Sequence, residues 1–475
     1  MAVRMELGGL LLRARLITQE QLDDALARQV GSGGRLGDHL VAGGHITQAR
    51  LDAFLHNIPV EPETIEATGL DETELLALMM KQIYTMRLQS NREFSDALKL
   101  PAHIVTKLVR MAVDRKLIYA KGVRADNTAV MNYEITDEGR RWANEALNRS
   151  HYTGPAPVTL DTFNERVNLQ KITNEIITYQ RITQSLGEMK MDVSQIEQAG
   201  PALNSGRAIL LYGPPGNGKT TFALHLAHVF TDMIYVPYAV TVEGQIIRMY
   251  DPSIHIAVAP NKDSDSLGPS ILKTQAVDSR WVTCRRPFVL AGGELTLEML
   301  DLRYDPVSKL YEAPLHMKAL GGCFVIDDFG RQLVSPTHLL NRWIVPLESR
   351  IDYLKLHTGK SFSIPFDELV IFSTNLEPED LMDPAFLRRL PYKIEIGSPS
   401  IPLYKQIFMK ECQSHGITLH DDVFDAIVAR IKDDKGLDLA AFQPKFILDQ
   451  VVASCRFMEH PVRLEPRFLN YAIDN

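Results

Sequence analysis

An apolar run, Ala208-Ile-Leu-Leu-Tyr212, leads directly into Gly213-Pro214-Pro215-Gly216-Asn217-Gly218-Lys219-Thr220, and Thr221 to Phe230 continues with helical spacing. No other feature restricts the possible folds as much. The run is short and made mostly of large apolar residues, as in a buried strand, and the glycines give the backbone freedom to turn tightly into a helix. A strand, glycine-rich loop and helix in this order form a phosphate cradle, with backbone N–H groups converging on the oxygens. A side chain at Gly216 or Gly218 would block that approach. The expectation is an α/β domain whose loop, Gly213 to Thr221, lines a nucleoside triphosphate, with Lys219 on the β- and γ-phosphates and Thr220 on Mg²⁺.

Such a loop needs a carboxylate near the metal, and Gly322-Cys-Phe-Val-Ile-Asp327-Asp328 supplies two acids at the end of another apolar run. Asp327 is the metal candidate, and Asp328 is placed to orient or deprotonate an attacking water. Further β-rich runs, Met233 to Tyr238, Leu369 to Ser373 and Tyr392 to Ile396, alternate with helical segments, as buried parallel strands do. After Pro402 the pattern is helical almost to the end, which fits a small lid.

At 475 residues the chain exceeds one ordinary core, so several modules are expected. The net charge of −8 excludes a general basic field for nucleic acid or anionic lipid. Cys284, Cys323, Cys412 and Cys455 are far apart and read as reduced packing residues. The apolar stretch Leu7 to Leu12 is interrupted by Arg13 and Arg15, no run approaches membrane-spanning length, and a cytoplasmic location follows.

The N-terminal region repeats itself: Leu7-Gly8, Leu11, Leu22 and Leu26 recur as Leu36-Gly37, Leu40, Leu51 and Leu55, at a constant offset of 29 positions. Pro59 to Pro62 closes this region as a linker. From Asp71 to Ser150 the order helix, short helix, helix, two strands and helix suggests a winged helix. His151 to Thr159 reads as a second linker. The expected organisation is multidomain α/β: a tandem-repeat helical domain over 1–58, a winged-helix-like domain over 68–150, an α/β nucleotide-binding core over 160–400 and an α-helical lid over 401–475.

These residues resemble the AAA+ family. Leu369-Val-Ile-Phe-Ser-Thr-Asn375 looks like its strand ending in a first sensor, so the resemblance implies that Asn375 polarises the hydrolytic water. The segment around Phe386-Leu-Arg388-Arg389 is similar to the one that carries paired arginine fingers, which implies that Arg388 and Arg389 reach ATP held by a neighbouring subunit. Gln443-Pro-Lys445-Phe matches the start of the second-sensor helix, with Lys445 where an Arg is usual. The resemblance implies ATP and Mg²⁺ as ligands, ATP hydrolysis, a homo-oligomeric ring such as a hexamer, and remodelling of a protein substrate. Two departures stand out. Asp327-Asp328 replaces the frequent Asp-Glu, and Ala239 to Gln245 offers no aromatic pore-loop motif, which leaves Tyr235 and Tyr238 as packing aromatics.

The repeat over residues 5 to 58 is similar to the tandem domain at the front of type II secretion and type IV pilus assembly ATPases, some of which bind cyclic di-GMP. Arg35, Gly8, Gly37 and Gly44 match that pattern, whereas Glu6, Arg15 and Ile58 depart from it. In the winged-helix-like region, Lys107, Arg110, Arg115, Lys116, Lys121 and Arg124 lie where DNA-reading side chains would sit, although acids nearly balance them. Two other readings therefore stand beside the motor: an ATP-switched DNA-binding regulator and a low-turnover nucleotide-binding scaffold.

Overall fold

The computed structural model describes residues 7–13, 16–32, 35–48, 50–51, 54, 58–124, 127–187, 189–258, 277–381 and 384–474. Glu6, Arg15, Leu55 and Asp383 lie outside them. Three short helices open the chain: α1 (Leu7–Arg13), α2 (Gln19–Ser32) and α3 (Leu36–Ala42). The repeat is a packing repeat. Leu11 and Leu40, one period apart, are both fully buried. A Cβ on Gly8 would meet Leu22 Cδ1 at 2.6 Å, and one on Gly37 would meet Leu51 Cδ2 at 2.9 Å. The two glycines let equivalent helices approach each other. Gly37→Val is therefore expected to destabilise this module by about 1–3 kcal/mol through overpacking, lowering its transition in calorimetry of the full chain.

The middle region comprises α4 (Glu72–Met86), α5 (Asn91–Leu98), α6 (Ala102–Asp114), the antiparallel pair β1 (Ile118–Arg124) and β2 (Asn127–Ile135), and α7 (Asp137–Arg149). Asp71 caps α4 through the Thr73 N–H, and Ser90 with Glu93 forms a capping box on α5. Leu76, Met79, Phe94, Leu98, Ile104 and Leu108 fill its core.

Both segments read as linkers are docked. Ile58 is buried with Phe163, Val167 and Tyr235, and Val60 bridges Val277. Residues 158–159 form strand β3 (Val158–Thr159), parallel to β6 (Ala239–Val242). Proline and glycine spacing marks these segments as non-helical, but it does not reveal that their backbones are paired.

The core begins with α8 (Leu160–Leu169), α9 (Tyr179–Leu186) and α10 (Val193–Ser205). Its central sheet has five parallel strands in the order β16 (Tyr392–Glu395), β4 (Ile209–Tyr212), β15 (Leu369–Ser373), β12 (Cys323–Ile326) and β9 (Phe288–Ala291). Alternation along the strands builds three layers. Ile209, Leu211, Val325 and Ile371 pack on Phe222 and Leu226 of α11 (Lys219–Ala227), while Leu210, Phe324, Ile326 and Phe372 pack on Leu339 and Trp343 of α12 (Pro336–Ser349).

One strand assignment is corrected. Met233 to Tyr238 is no parallel core strand: β5 (Met233–Pro237) pairs antiparallel with β8 (Trp281–Arg285), and Phe288–Ala291 takes the sheet edge. A second sheet, β10 (Arg303–Asp305), β11 (Leu310–Glu312), β7 (Gln245–Arg248) and β6, comes from the same insertion and takes β3 as its edge strand. A hairpin, β13 (Ile351–Lys355) with β14 (Ser361–Pro365), precedes β15.

The last helices, α13 (Ile401–Ser414), α14 (Asp421–Ala429), α15 (Gln443–Phe457) and α16 (Pro466–Asp474), enclose their own core of Tyr404, Phe408, Phe424, Leu448 and Phe468. The fold is thus multidomain α/β, a parallel-sheet core with a glycine-rich loop after β4 and an α-helical C-terminal module. No helix among the described residues is long and apolar enough to cross a membrane. All four cysteines are buried and free.

Glu368, just before β15, is fully buried and finds no hydrogen-bond partner for either carboxylate oxygen among the described residues. Burial holds its carboxyl well above the ordinary 4.5. A raised carboxyl favours the protonated fold, so its contribution is complete below the unfolded value and is lost as pH rises above 4.5, by about 1.4 kcal/mol per unit. Glu368→Gln is therefore expected to melt above the wild type at pH 7, with the gap closing towards pH 4.

Candidate functional site

The glycine-rich loop leaves the C-terminal end of β4. Gly213, Gly216 and Gly218 have φ of 128°, 79° and 86°, a region open to glycine at little cost. Beyond this, Gly213 has Ile396 O 2.6 Å from where a Cβ would stand, so the residue that follows β16 also requires the glycine. Pro214 and Pro215 are exposed, whereas Asn217 is buried. Lys219 and Thr220 open α11, with Thr221 exposed beside them.

Lys219 is only 6% exposed, and its ammonium donates to Gly213 O at 3.0 Å and Pro214 O at 2.9 Å. Burial pushes this ammonium below its ordinary value, while Asp327 and Asp328 act in the opposite sense. The Thr220 hydroxyl lies 2.9 and 3.0 Å from the two Asp327 carboxylate oxygens. Residues 107 positions apart thus meet at one sheet edge.

Asp327 is held by its N–H on Ala291 O and by Gln332 Nε2 on its carbonyl. Asp328 is exposed and has φ of 48°, a left-handed conformation that Asp tolerates better than most residues. Phe329 N–H to Ser373 O and Thr374 Oγ1 to Phe329 O tie the turn after it to β15. The same strand end presents Asn375, whose Nδ2 stands 3.5 Å from Asp328 Oδ1, at the outer limit of hydrogen bonding.

The lid closes directly on the loop, a feature with no sequence signal. Phe442 N–H donates to Gly216 O at 3.0 Å, and Ala441 N–H to Asn217 Oδ1 at 3.0 Å. The Phe442 ring lies 2.4 Å from where a Gly216 Cβ would stand, so the lid's approach here depends on the glycine. Lys445 is exposed one turn further along α15.

Arg388 and Arg389 are not brought to this centre. They precede β16, whose first residue pairs with Ile209, so they sit at the opposite edge of the sheet from the loop after Tyr212. Arg388 is exposed, and Arg389 Nε is 2.6 Å from Glu348 Oε1. With Arg207 and Tyr392 they border an open cleft of about 750 Å³.

Elsewhere, Arg35 is exposed and Gly44 has φ of 70° in open space. Lys107, Arg110, Arg115 and Lys116 are exposed, but Lys107 acts on Glu66 and Arg115 on Asp71, while Lys121 is paired with Glu134 at 3.0 Å. The side chain of Arg124 lies outside the described residues. Tyr235 is buried, and Tyr238 packs edge-on against Tyr250.

Residues 400–475 match a family described as a domain of unknown function (DUF8689). No curated protein matches the chain. Among solved structures, the chain is similar to NtrX from Brucella abortus, at 14% identity over 62% of this chain and 58% of that one, with a TM-score of 0.34. NtrX in complex with ATP gives 14% identity, 70% and 64% coverage and 0.35. A Thermotoga maritima RuvB variant gives 12%, 61%, 70% and 0.34. The chain spans less than two thirds of both NtrX structures.

Proposed function

We propose that the chain is an ATP-binding, ATP-hydrolysing AAA+ motor that works as a homo-oligomer, a hexameric ring being the expected form, and remodels a protein partner. The observation that carries this reading is the Thr220 hydroxyl within 3.0 Å of both Asp327 oxygens beside a buried Lys219. A hydroxyl and a carboxylate are the hard oxygen donors that Mg²⁺ takes, with phosphate and water completing its shell. Thr220 and Asp327 would hold the ion, which neutralises phosphate charge when bound. Gly216, Asn217 and Gly218 would grip the triphosphate through backbone N–H groups, and Lys219 would add a fixed positive charge. Asp328 would accept a proton from the attacking water, held in line by Asn375.

The arginines support the oligomer. At the far sheet edge they cannot serve the ATP of their own subunit, whereas a neighbour packed there would receive them, and the planar fork of Arg suits transferred phosphoryl charge. Asp328→Asn and Arg388→Ala/Arg389→Ala chains are each expected to hydrolyse ATP at about a hundredth of the wild-type rate or less. Mixing them should restore turnover, because intact arginines then meet intact acids. A wild-type rate from the double arginine variant alone would remove the oligomer reading.

Lys107, Arg115 and Lys121 face acids, and this favours a protein-contact role for the middle module over DNA. The packing of Gly8 and Gly37 and the burial of Ile58 favour a docking role for the N-terminal repeat. Cyclic di-GMP is its alternative ligand, through Arg35 and Gly44, and a pilus or secretion setting rests on that repeat alone. Lys445 is the lid cation closest in sequence to the latch on Gly216.

A further inference from the structure

The middle module and the core leave a cavity between them of about 170 Å³, bounded by α4, the end of α7 and the hairpin β6–β7. Its walls are largely apolar, with Leu75, Leu78, Ala146 and Ile246 among them. Two cations, Lys81 and Arg149, also line it. The one carboxylate in the lining, Glu74, sits against the hairpin turn, with its Oε1 3.8 Å from where a Gly244 Cβ would stand.

Lys81 is the unusual member. It is 5% exposed, on a helix whose other buried residues are almost all apolar, and its ammonium donates to Ser150 O at 3.1 Å. That bond caps the end of α7 and uses one of three donors. Burial, together with the like charge of Arg149, pushes the ammonium down to about 8. A desolvated cation beside a second cation attracts an anion. The apolar walls call for a hydrocarbon body, and a cavity of about 150 Å³ holds a ligand the size of benzene.

We propose that this cavity binds a small organic carboxylate on a benzene-sized hydrocarbon body, its oxygens held by Lys81 and Arg149 and its body by Leu78 and Ile246. Such a ligand touches α4 and α7 on one side and β6–β7 on the other, so it joins the middle module to the core. The site lies apart from the phosphate loop, and the inference does not depend on ATP.

The test is calorimetric titration of the full chain with benzoate, with neutral benzamide and inorganic phosphate as controls. Saturable heat is expected from benzoate alone, weakened about tenfold or more by Lys81→Met and by Arg149→Gln. Arg149 is exposed, so its variant keeps the test decisive if Lys81→Met fails to fold. Equal benzoate affinity in wild type and Arg149→Gln, no saturable heat at millimolar benzoate, or phosphate binding in its place would each overturn the proposal.

Discussion

A chain carrying Lys219→Ala is expected to fold as the wild type does and to lose ATP turnover by about 10²–10³-fold. The two halves of that result have separate causes. Folding survives because the Lys219 ammonium is buried against two carbonyl oxygens, and its desolvation offsets much of what those bonds contribute. Turnover falls because no other cation is described in the loop to meet the phosphates; Lys445 is exposed on the lid, and the paired arginines are at the opposite sheet edge. A binding measurement separates the two: Mg-ATP at a hundred times its Kd should stabilise the wild type by about 2.7 kcal/mol and leave the variant's melting point unmoved. Wild-type turnover from Lys219→Ala would sink the site.

What was legible in the sequence is what depends on neighbours along the chain. Gly213 to Thr220 is legible as a turn between strand and helix because its glycines, lysine and hydroxyl are contiguous, and Asp327 and Asn375 each follow an apolar run that forms a buried strand. The partner of a strand is not written in this way. Met233–Pro237 and Phe288–Ala291 are both short and apolar, yet the first pairs antiparallel in an insertion and the second completes the parallel sheet. An apolar run reads alike in either pairing, since burial on both faces removes the alternation that would tell them apart.

Gly8 and Gly37 illustrate the same limit. A glycine that makes room for a ligand and one that makes room for Leu22 or Leu51 are identical until the facing helix is in place. The latch of Phe442 on Gly216 is still less visible, because an exposed aromatic before a helix carries no signal of the loop it covers. It gives the lid a direct hold on the glycine-rich loop through the Phe442 N–H on Gly216 O.

The second large effect concerns how the front modules are held. Arg280→Met is expected to destabilise the chain by about 3–5 kcal/mol. Arg280 and Asp278 are each 3% exposed and form a buried pair, with Nη2 to Oδ2 at 2.8 Å. The same guanidinium donates through Nη1 to Thr68 O and Pro157 O, and the Asp278 N–H donates to Pro59 O. One pair therefore gathers the segment after the N-terminal repeat, the approach to the middle module and the segment leading into the core. Removing the arginine strands a buried carboxylate and two carbonyls, and the cost is that of the stranded groups more than of a lost attraction. A further Asp278→Leu change should recover part of the loss, because no charge is then left unpaired. Protease digestion reads the mechanical consequence: Arg280→Met should open residues 151–159 to early cleavage while the lid resists, since the lid's core is its own. If that segment is cut no faster than in the wild type, the pair does not fasten the modules.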